Sequence, residues 1–343
     1  MNGYWAGKTV LVTGCTGFVG AWLTERLIQE SAKVVGLIWE TSPDAYFYRQ
    51  GLDRRITCVP GDISDFPLLR RITVDHAVDT VFHLAAQAIV TTANAAPLET
   101  LETNTRGTWL LLETLRDTAS VQRIVVASSD KVYGDQEPLP YTEGASLLAT
   151  NPYDVSKACA DLISQSYAKA FGLPIGIVRC GNIYGGGDLN FDRLIPGTIS
   201  AAFSGKNPLI RSDGTFTRDY LHVADAVQAY LLVGQAMDHS RFHGGLFNFG
   251  NERPYTVLEI VRMILELMER SNLGPIVLNT ATNEIRHQYL SASKARAELG
   301  WTPAYSLERG LRETIPWYEA FLGDGPGQPI KHGESRETSG ANQ

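Results

Sequence analysis

The sequence has few cysteines and no cluster of metal ligands. The four cysteines of the 343-residue chain are far apart, and none forms a Cys-x-x-Cys pair or has a group of histidines nearby. This spacing predicts neither a zinc site nor a disulfide framework, so we assign no metal ligands. Free thiols are typical of a reducing compartment. The cysteines are Cys15, Cys58, Cys159 and Cys180.

Long apolar runs and a leader pattern are also missing. The first residues, Met1 to Trp5, show no basic region followed by an apolar stretch. No uncharged run is long enough to span a bilayer. Together with the cysteine pattern, these features predict a cytoplasmic protein that has no membrane partner.

An excess of positive charge is missing as well. The chain has 30 Lys and Arg against 37 Asp and Glu, a net charge of −7. Because a nucleic-acid surface needs clustered Lys and Arg, this balance predicts no nucleic-acid partner. A phosphorylated small molecule needs only one or two local cations and stays compatible with the composition.

The first half of the chain alternates short β-branched runs with helical patterns, which predicts a parallel sheet covered on both faces. Asn151-Pro152 predicts the start of a later helix, over residues 153–171, and Thr256-x-x-Glu259 predicts a capping box. The predicted strands are residues 8–13, 33–38, 56–59, 80–83 and 123–127, and the first helix is predicted over 18–30.

From Asn182 onward this alternation gives way to loops containing Gly, Pro and Asp. We therefore predict an α/β protein, a Rossmann-type doubly wound parallel sheet with a smaller C-terminal substrate-binding lobe. The expected division is residues 1–181 for the Rossmann domain and 182–322 for the lobe, whose chain crosses back to the sheet. Residues 323–343 are predicted to form a flexible tail.

A glycine-rich turn stands between the first strand and the first helix. Residues without Cβ let backbone N–H groups approach a pyrophosphate at the N-terminus of a helix. Such turns also occur as plain strand–helix connections, but the strand-turn-helix context favours a dinucleotide. The candidate cofactor residues here are Gly14, Thr16, Gly17, Phe18, Val19 and Gly20.

Two acidic residues follow later strands. Glu40 is placed to bind the adenosine ribose hydroxyls, or it is a solvated loop charge. Asp62 is placed to accept the adenine amino group, or it opens the next helix, a role that Asp65 would fill equally well. No arginine stands at positions 38–40 to accept a 2′-phosphate, which favours NAD over NADP unless Arg49 or its neighbours fold back.

A tyrosine and a lysine lie four residues apart at the start of the predicted helix 153–171. Tyr153 and Lys157 share one helix face. A phenol has a reference pKa near ~10, and a nearby ammonium group and the positive nicotinamide ring are expected to depress it. The phenolate would then remove a sugar hydroxyl proton. A pair of helix surface residues is the alternative.

The strand predicted over 123–127 ends in a polar run, Ser128-Ser129-Asp130-Lys131. These side chains emerge at the carboxyl edge of the sheet, where α/β enzymes bind ligands. Ser129 is placed to hydrogen-bond the reacting hydroxyl, and the adjacent Asp130 and Lys131 offer an acid and a base. A solvated pair of loop charges is the alternative.

Taken together, these motifs resemble the extended short-chain dehydrogenase/reductases, over residues 8–322. The chain is most similar to their nucleotide-sugar 4,6-dehydratases, of the CDP-glucose type first and the GDP-mannose type second. The resemblance also rests on the segments at 82–87, 104–108, 181–188, 192–196, 218–223 and 289–301.

The resemblance implies an NAD-dependent conversion of a nucleotide-diphosphate sugar into its 4-keto-6-deoxy product. Tyr153 takes the C4 hydroxyl proton, Lys131 removes the C5 proton, and a protonated Asp130 donates to the departing C6 hydroxyl. Lys131 must be neutral for this role, which requires its pKa to be lowered by burial or by cationic neighbours.

Further residues are assigned by the same resemblance. The helical regions 97–116 and 152–171 would form a four-helix interface in a homodimer or a dimer of dimers. Ile63, Leu84, Ala85, Ala86, Gln87 and Ser128, with Tyr153 and Lys157, would contact the cofactor. Gln87, Ser129, Asn182, Leu194, Ile195, Arg218 and Arg286 would contact the substrate.

Other functions are compatible with part of the pattern. A nucleotide-sugar epimerase uses the same tyrosine and lysine, but it generally has small residues where Asp130 and Lys131 stand. A decarboxylase of UDP-glucuronate and an NAD-sensing structural protein are further alternatives. The stretch around Arg218 looks more like the epimerase and GDP-mannose branches, which leaves the nucleotide and the hexose open.

Overall fold

The computed structural model describes residues 3–280 and 284–324. Its strands within these ranges are β1 (Thr9–Thr13), β2 (Lys33–Ile38), β3 (Thr57–Pro60), β4 (Thr80–His83), β5 (Arg123–Ala127), β6 (Ile175–Cys180), β7 (Asn182–Tyr184), β8 (Leu209–Ile210), β9 (Thr217–Arg218), β10 (Tyr220–His222), β11 (Gly245–Phe249), β12 (Tyr255–Thr256), β13 (Ile276–Val277) and β14 (His287–Gln288).

The α-helices are α1 (Phe18–Gln29), α2 (Tyr46–Arg49), α3 (Phe66–Asp75), α4 (Val90–Ala95), α5 (Pro97–Leu101), α6 (Gly107–Arg116), α7 (Pro152–Phe171), α8 (Leu194–Phe203), α9 (Val223–Ala236), α10 (Val257–Leu267), α11 (Ser293–Leu299) and α12 (Leu307–Asp324). A π-helical turn, Glu102–Arg106, joins α5 to α6. Short 3-10 helices lie at Leu52–Arg54, Asp130–Tyr133 and Ser240–Phe242.

The central sheet has seven parallel strands in the order β11-β6-β5-β4-β1-β2-β3. Thr13 pairs with Leu37 on one side and with His83 on the other, so the strands end at nearly the same level. The loops that follow β1, β4 and β5 therefore meet at one edge of the sheet. The predicted Rossmann-type α/β class is confirmed.

Most strands of the sheet are buried along almost their whole length, which explains their continuous apolar sequences. The predicted strands agree with the observed ones to within one residue at each end. Helix α7 begins at Pro152, with Asn151 at the N-cap position. Thr256 and Glu259 form the predicted capping box at the start of α10.

A second core lies beside the sheet and is built mainly by α8, α10 and α12. Its buried apolar side chains include Ile195, Ile199, Ile260 and Leu311. The chain returns from this region to the sheet through β11, which pairs in parallel with β6. The loops between the two cores surround the carboxyl edge of the sheet.

The chain end departs from the expected boundary. Gly323 and Asp324 belong to α12, so the predicted start of a tail at residue 323 is wrong for these two residues, because the helix continues through them. The rest of the predicted tail, 325–343, lies outside the described residues. Within 3–280 and 284–324, no helix is both long enough and apolar enough to cross a membrane.

Candidate active site

The glycine turn after β1 packs directly on the loop after β4. Gly14 has a φ of +74°, and a Cβ at this position would lie 2.7 Å from the backbone nitrogen of Ala85. A Cβ on Gly20 would lie 2.1 Å from the carbonyl oxygen of Gly14. Gly17 is the N-cap of α1, which begins at Phe18. Only glycine permits this close approach of turn, helix and strand, and the exposed helix start fits a pyrophosphate.

His83 fixes the beginning of the loop after β4. Its Nδ1 is 2.8 Å from Oγ1 of Thr13, and its Nε2 is 3.0 Å from Oγ1 of Thr108. Burial first, and then the Lys157 charge, lowers the pKa of His83 to about 3, so the imidazole is neutral. The backbone N–H groups of Leu84 and Ala85 donate to Thr13.

The rest of that loop is held by Asn104, which sequence reasoning noted but gave no role. Its side-chain oxygen accepts from the backbone N–H of Gln87 at 2.7 Å, and its Nδ2 donates to the carbonyl of Gln87 at 3.0 Å. Nδ2 also donates to Oγ of Ser156 on α7 at 2.8 Å. The predicted ligands at Leu84–Gln87 are thus tied to the helix that carries Tyr153.

The acidic candidates lie at the ends of β2 and β3. Glu40 is exposed just after β2, and Asp62 Oδ1 accepts from the backbone N–H of Ser64 at 2.7 Å. Asp65, not Asp62, is the N-cap of α3. Ile63 is buried beneath the π-helical turn, against Gly107.

Arg49 does not fold back toward the ends of these strands. Its side chain is buried, and its guanidinium lies 4.6 Å from the ring centroid of Phe321. The burial of Arg49 therefore disfavours its binding to the 2′-phosphate of a nucleotide.

A buried ion pair lies beneath the end of β5. Arg179 on β6 donates from Nε and Nη2 to the two carboxylate oxygens of Asp161 on α7, each at 2.8 Å. The two side chains are 1% and 0% exposed. Ser128 donates to Asp161 at 2.6 Å, and Arg179 donates to the Tyr133 hydroxyl at 2.8 Å. Sequence reasoning missed this network, although an arginine inside the apolar strand β6 was a visible signal.

The acid and the base predicted at the strand end lie together. Ser129 caps the 3-10 helix 130–133: its hydroxyl donates to Asp130 Oδ1 at 3.1 Å and accepts from the backbone N–H of Lys131 at 3.2 Å. Asp130 is 4% exposed. Lys131 Nζ is 3.8 Å from Asp130 Oδ2, and the Lys131 side chain is 21% exposed. The solvated-loop alternative is therefore disfavoured.

The surroundings of Lys131 move its pKa in the direction that a base requires. Burial lowers the pKa of Lys131 and is the largest effect. The Asp130 carboxylate opposes this lowering, and the positive charge of Arg218 adds to it. Nζ donates to Oε1 of Gln288, a residue that sequence reasoning missed.

Tyr153 and Lys157 both face this cluster. A hydrogen bond with Ser129 lowers the pKa of the Tyr153 phenol, but burial outweighs it and raises the pKa to about 12. Lys157 Nζ donates to the carbonyl oxygen of Ala127, and burial lowers the pKa of Lys157 to about 8. In the protein without ligands, burial therefore outweighs the influences that lower the Tyr153 pKa, and the depression expected beside a nicotinamide ring stays a prediction.

The cation that most lowers the pKa of Tyr153 is Arg193, which lies in the segment 192–196 of the resemblance but was given no role by sequence reasoning. Arg193 directly precedes α8, and its Nη1 lies 2.9 Å from Asp188 Oδ2. The charge that favours the phenolate in the protein without ligands therefore comes from the residue that precedes α8, and not from a residue close to Tyr153 in sequence.

The predicted substrate residues occupy different environments. Asn182 is at the start of β7, where its backbone N–H donates to the carbonyl of Asp219 at 3.0 Å. Ile195 is buried in the second core, so only its main chain is available to a ligand. Arg218 donates to the backbone carbonyls of residues 285 and 286, and the Arg286 side chain is exposed. Leu194 is half-buried at the first position of α8.

The ionisation of Tyr153 can be followed by ultraviolet difference titration of the protein against a Tyr153→Phe variant. Without ligands we expect no phenolate signal from Tyr153 at pH 9, because the raised pKa keeps the phenol protonated. Saturating NAD⁺ should lower the pH at which the phenolate signal of Tyr153 appears, since a positive charge favours the phenolate. A Tyr153 phenolate already present at pH 8 in the unliganded protein would contradict this.

Comparisons with known proteins agree with this geometry. A family model described as GDP-mannose 4,6 dehydratase matches residues 11–314. The CDP-glucose 4,6-dehydratase of Salmonella typhimurium is 32% identical, over 93% of this chain and 92% of its own. A dTDP-glucose 4,6-dehydratase from Streptomyces venezuelae, solved with NAD and TYD bound, has a TM-score of 0.82 at 29% identity, over 94% of this chain and all of its own.

Epimerases are similar in structure as well. The UDP-glucose 4-epimerase of Thermotoga maritima, solved with UDP-glucose, has a TM-score of 0.83 at 27% identity, over 92% of this chain and 99% of its own. The fold alone therefore does not separate dehydration from epimerisation.

The matched range takes in both cores and every candidate catalytic residue. The 4,6-dehydratases that it groups are NAD-dependent enzymes of the lyase class, which confirms the predicted enzyme type and cofactor. The predicted place among the extended short-chain dehydrogenase/reductases is confirmed too: the chain belongs to the GDP-mannose 4,6-dehydratase family.

Proposed function

We propose that this protein is a nucleotide-sugar 4,6-dehydratase that converts an NDP-hexose, of the CDP-glucose or GDP-mannose type, into its 4-keto-6-deoxy product. The observation that carries the proposal is the cluster of Asp130 and Lys131 beside Tyr153. Epimerisation at C4 needs one proton acceptor, whereas loss of water needs an additional acid and base. This cluster supplies both.

The cofactor site is built by the edge loops of the sheet. Gly14, Gly17 and Gly20 leave room for the pyrophosphate at the start of α1, and the Thr16, Phe18 and Val19 positions line the same turn. Bound at this turn, NAD would supply the hydride chemistry, as the acceptor of a hydride from C4 of the sugar and the donor of one to C6. The proposed further contacts are Glu40, Asp62, Ile63, Leu84, Ala85, Ala86, Gln87 and Ser128, together with Tyr153 and Lys157.

Tyr153 and Ser129 act on the C4 hydroxyl. The phenolate oxygen of Tyr153 accepts the hydroxyl proton, and Ser129, which hydrogen-bonds the phenol, orients it. Burial holds the phenol protonated, although the charge of Arg193 lowers its pKa. We propose that the bound cofactor, together with Lys157, supplies the further positive charge that the phenolate needs. The tyrosine therefore becomes active only in the loaded site.

Lys131 and Asp130 carry out the loss of water. A C4 ketone acidifies the C5 proton, and a neutral Lys131 Nζ accepts that proton. Asp130 would donate a proton to the C6 oxygen as it leaves as water. When hydride returns to C6, the ammonium of Lys131 would give its proton back to C5, which completes the 4-keto-6-deoxy product. Support for a neutral lysine comes from its burial and from the nearby positive charge of Arg218, both of which lower its pKa.

The substrate is proposed to lie between the sheet edge, in residues 1–181, and the lobe of residues 182–322. Arginine suits a diphosphate because its planar fork forms paired hydrogen bonds. Arg286 is exposed, whereas Arg218 already donates to backbone carbonyls and would supply mainly charge. The other proposed contacts are Gln87, Ser129, Asn182, Leu194 and the main chain of Ile195.

We further propose a homodimer, or a dimer of dimers, assembled through the helical region 97–116 and α7. Both carry large apolar side chains that are exposed in the single chain: Leu98 and Trp109 on one, Leu162 and Phe171 on the other. Sedimentation equilibrium should give a dimer that Leu162→Asp dissociates, and a monomer at micromolar concentration would contradict it.

A cytoplasmic location is proposed because all four cysteines are free.

The substrate is tested by incubating the protein with CDP-, GDP-, UDP- and dTDP-hexoses. We expect a 4-keto-6-deoxy product, detected by its absorbance in alkali and by mass spectrometry, from CDP-glucose or GDP-mannose. A C4 epimer that retains the mass of the substrate would instead identify an epimerase. Bound nucleotide without turnover of any sugar nucleotide would favour the non-enzymatic alternative.

Single substitutions should separate the steps. Tyr153→Phe should abolish all turnover, because the first proton transfer is lost. Asp130→Asn and Lys131→Met should still permit oxidation at C4, seen as cofactor absorbance at 340 nm, while slowing release of product by about 10²-fold or more. Product formed at the normal rate by either variant would remove that residue from the mechanism.

A further inference from the structure

Gln288 lies behind the proposed acid–base pair and touches both of its members. Its side-chain Nε2 donates to the backbone carbonyl of Asp130 at 2.8 Å, and its Oε1 accepts from Nζ of Lys131. Gln288 is 1% exposed, so water does not compete for these bonds. The residue comes from β14, far from Lys131 in sequence but adjacent in space.

The orientation of the amide follows from its neighbours. A rotation that exchanged the two amide atoms would place N–H groups against the amine of Lys131 and an oxygen against the carbonyl of Asp130. The contact between the two oxygens pairs two acceptors and is repulsive whatever the charge of the amine, and the contact with the amine is repulsive as well when the amine is charged. Only the oxygen therefore faces Lys131, and the amide group bridges the Asp130 main chain and the Lys131 side chain.

The acceptor that Gln288 provides is neutral. A carboxylate at the same position would hold Nζ as well, but it would strongly favour the ammonium form. An amide oxygen accepts a hydrogen bond from a neutral amine through one of its two N–H groups. The lone pair of that amine is then left to point toward the sugar, while the bond to Gln288 restricts the rotation of the long lysine side chain.

Strand β14 also connects this amide to the second lobe. Gln288 pairs in parallel with Arg218 on β9, and the guanidinium of Arg218 donates to carbonyls just before β14. The segment that carries Gln288 is thereby fixed to the segment that carries the proposed substrate arginines. Nothing in the local sequence around Gln288 indicates this placement.

We propose that Gln288 is a positioning residue that holds Lys131 in the geometry of the C5 base without adding a negative charge. This inference rests on the proposed role of Lys131 in the loss of water. It predicts that hydrogen bonding and charge at position 288 have separable effects on the loss of water. Two substitutions that keep the size of the side chain, Gln288→Met and Gln288→Glu, distinguish these effects.

Gln288→Met removes both hydrogen bonds and keeps the volume. We expect about a 10- to 100-fold lower kcat, with reduced cofactor accumulating during turnover because oxidation at C4 continues. Gln288→Glu keeps an acceptor but adds a negative charge, which favours the ammonium form of Lys131. The ascending limb of kcat against pH should therefore move to higher pH. A residue with only a structural role would slow both steps together and leave the pH profile in place.

A second measurement requires no substrate. Competitive labelling with acetic anhydride, read on the Lys131 peptide by mass spectrometry, reports the pH at which this amine becomes neutral. The midpoint should rise in the Gln288→Glu variant. His287→Ala, on the same strand with its side chain bonded to Thr217, is the matched control and should leave the midpoint unchanged. An equal midpoint in Gln288→Glu and the unaltered protein would overturn the inference.

The two proposals fail in different ways. Normal product from Lys131→Met would remove the base itself, and the inference about Gln288 would fall with it. Blocked water loss in Lys131→Met, combined with unchanged labelling and pH profiles in both Gln288 variants, would overturn only the inference. If Gln288→Met does not fold, Gln288→Glu alone still decides between these outcomes.

Discussion

The buried ion pair between Arg179 and Asp161 is the interaction on which the geometry of the site depends. Two charges removed from water are tolerated only when their remaining hydrogen-bonding groups are also satisfied. Here Asp161 accepts from Ser128 and from Gln165, and Arg179 donates to Tyr133. These bonds join the end of β5, the 3-10 helix after it, β6 and α7 into one rigid unit.

This unit carries the side chains that we propose to be reactive. Ser129, Asp130 and Lys131 lie between the two residues, Ser128 and Tyr133, that the ion pair holds. Lys157 is one helical turn before Asp161, whose charge opposes the lowering of the lysine pKa by burial. The Asp161 carboxylate therefore has two effects. It supports the loop that carries the proposed acid and base, and it influences the charge of Lys157 on the helix of Tyr153. Precision at such a site depends on supports of this kind.

The sheet was predictable, and so was the place of the candidate residues Asp130 and Lys131 just after β5, because both follow from short-range patterns. The strand of residues 123–127 and the spacing of Tyr153 and Lys157 need only local sequence. The pKa of Tyr153 was not predictable, since burial depends on the whole fold. The roles of Gln288 and Arg193 were missed for a related reason: each reaches the site from a distant segment, and neither residue type stands out in its local sequence.

The last strand of the sheet has a consequence for how the protein can be divided. β11 covers one edge of β6 but follows α8 and α9 in the chain. In a fragment that stops at Cys180, β6 would still pair with β5, but its other edge would have no partner strand and would invite pairing with other chains. The sheet is therefore completed by a strand that follows α8 of the second core and precedes α10. A fragment meant to contain the whole sheet has to include this returning strand.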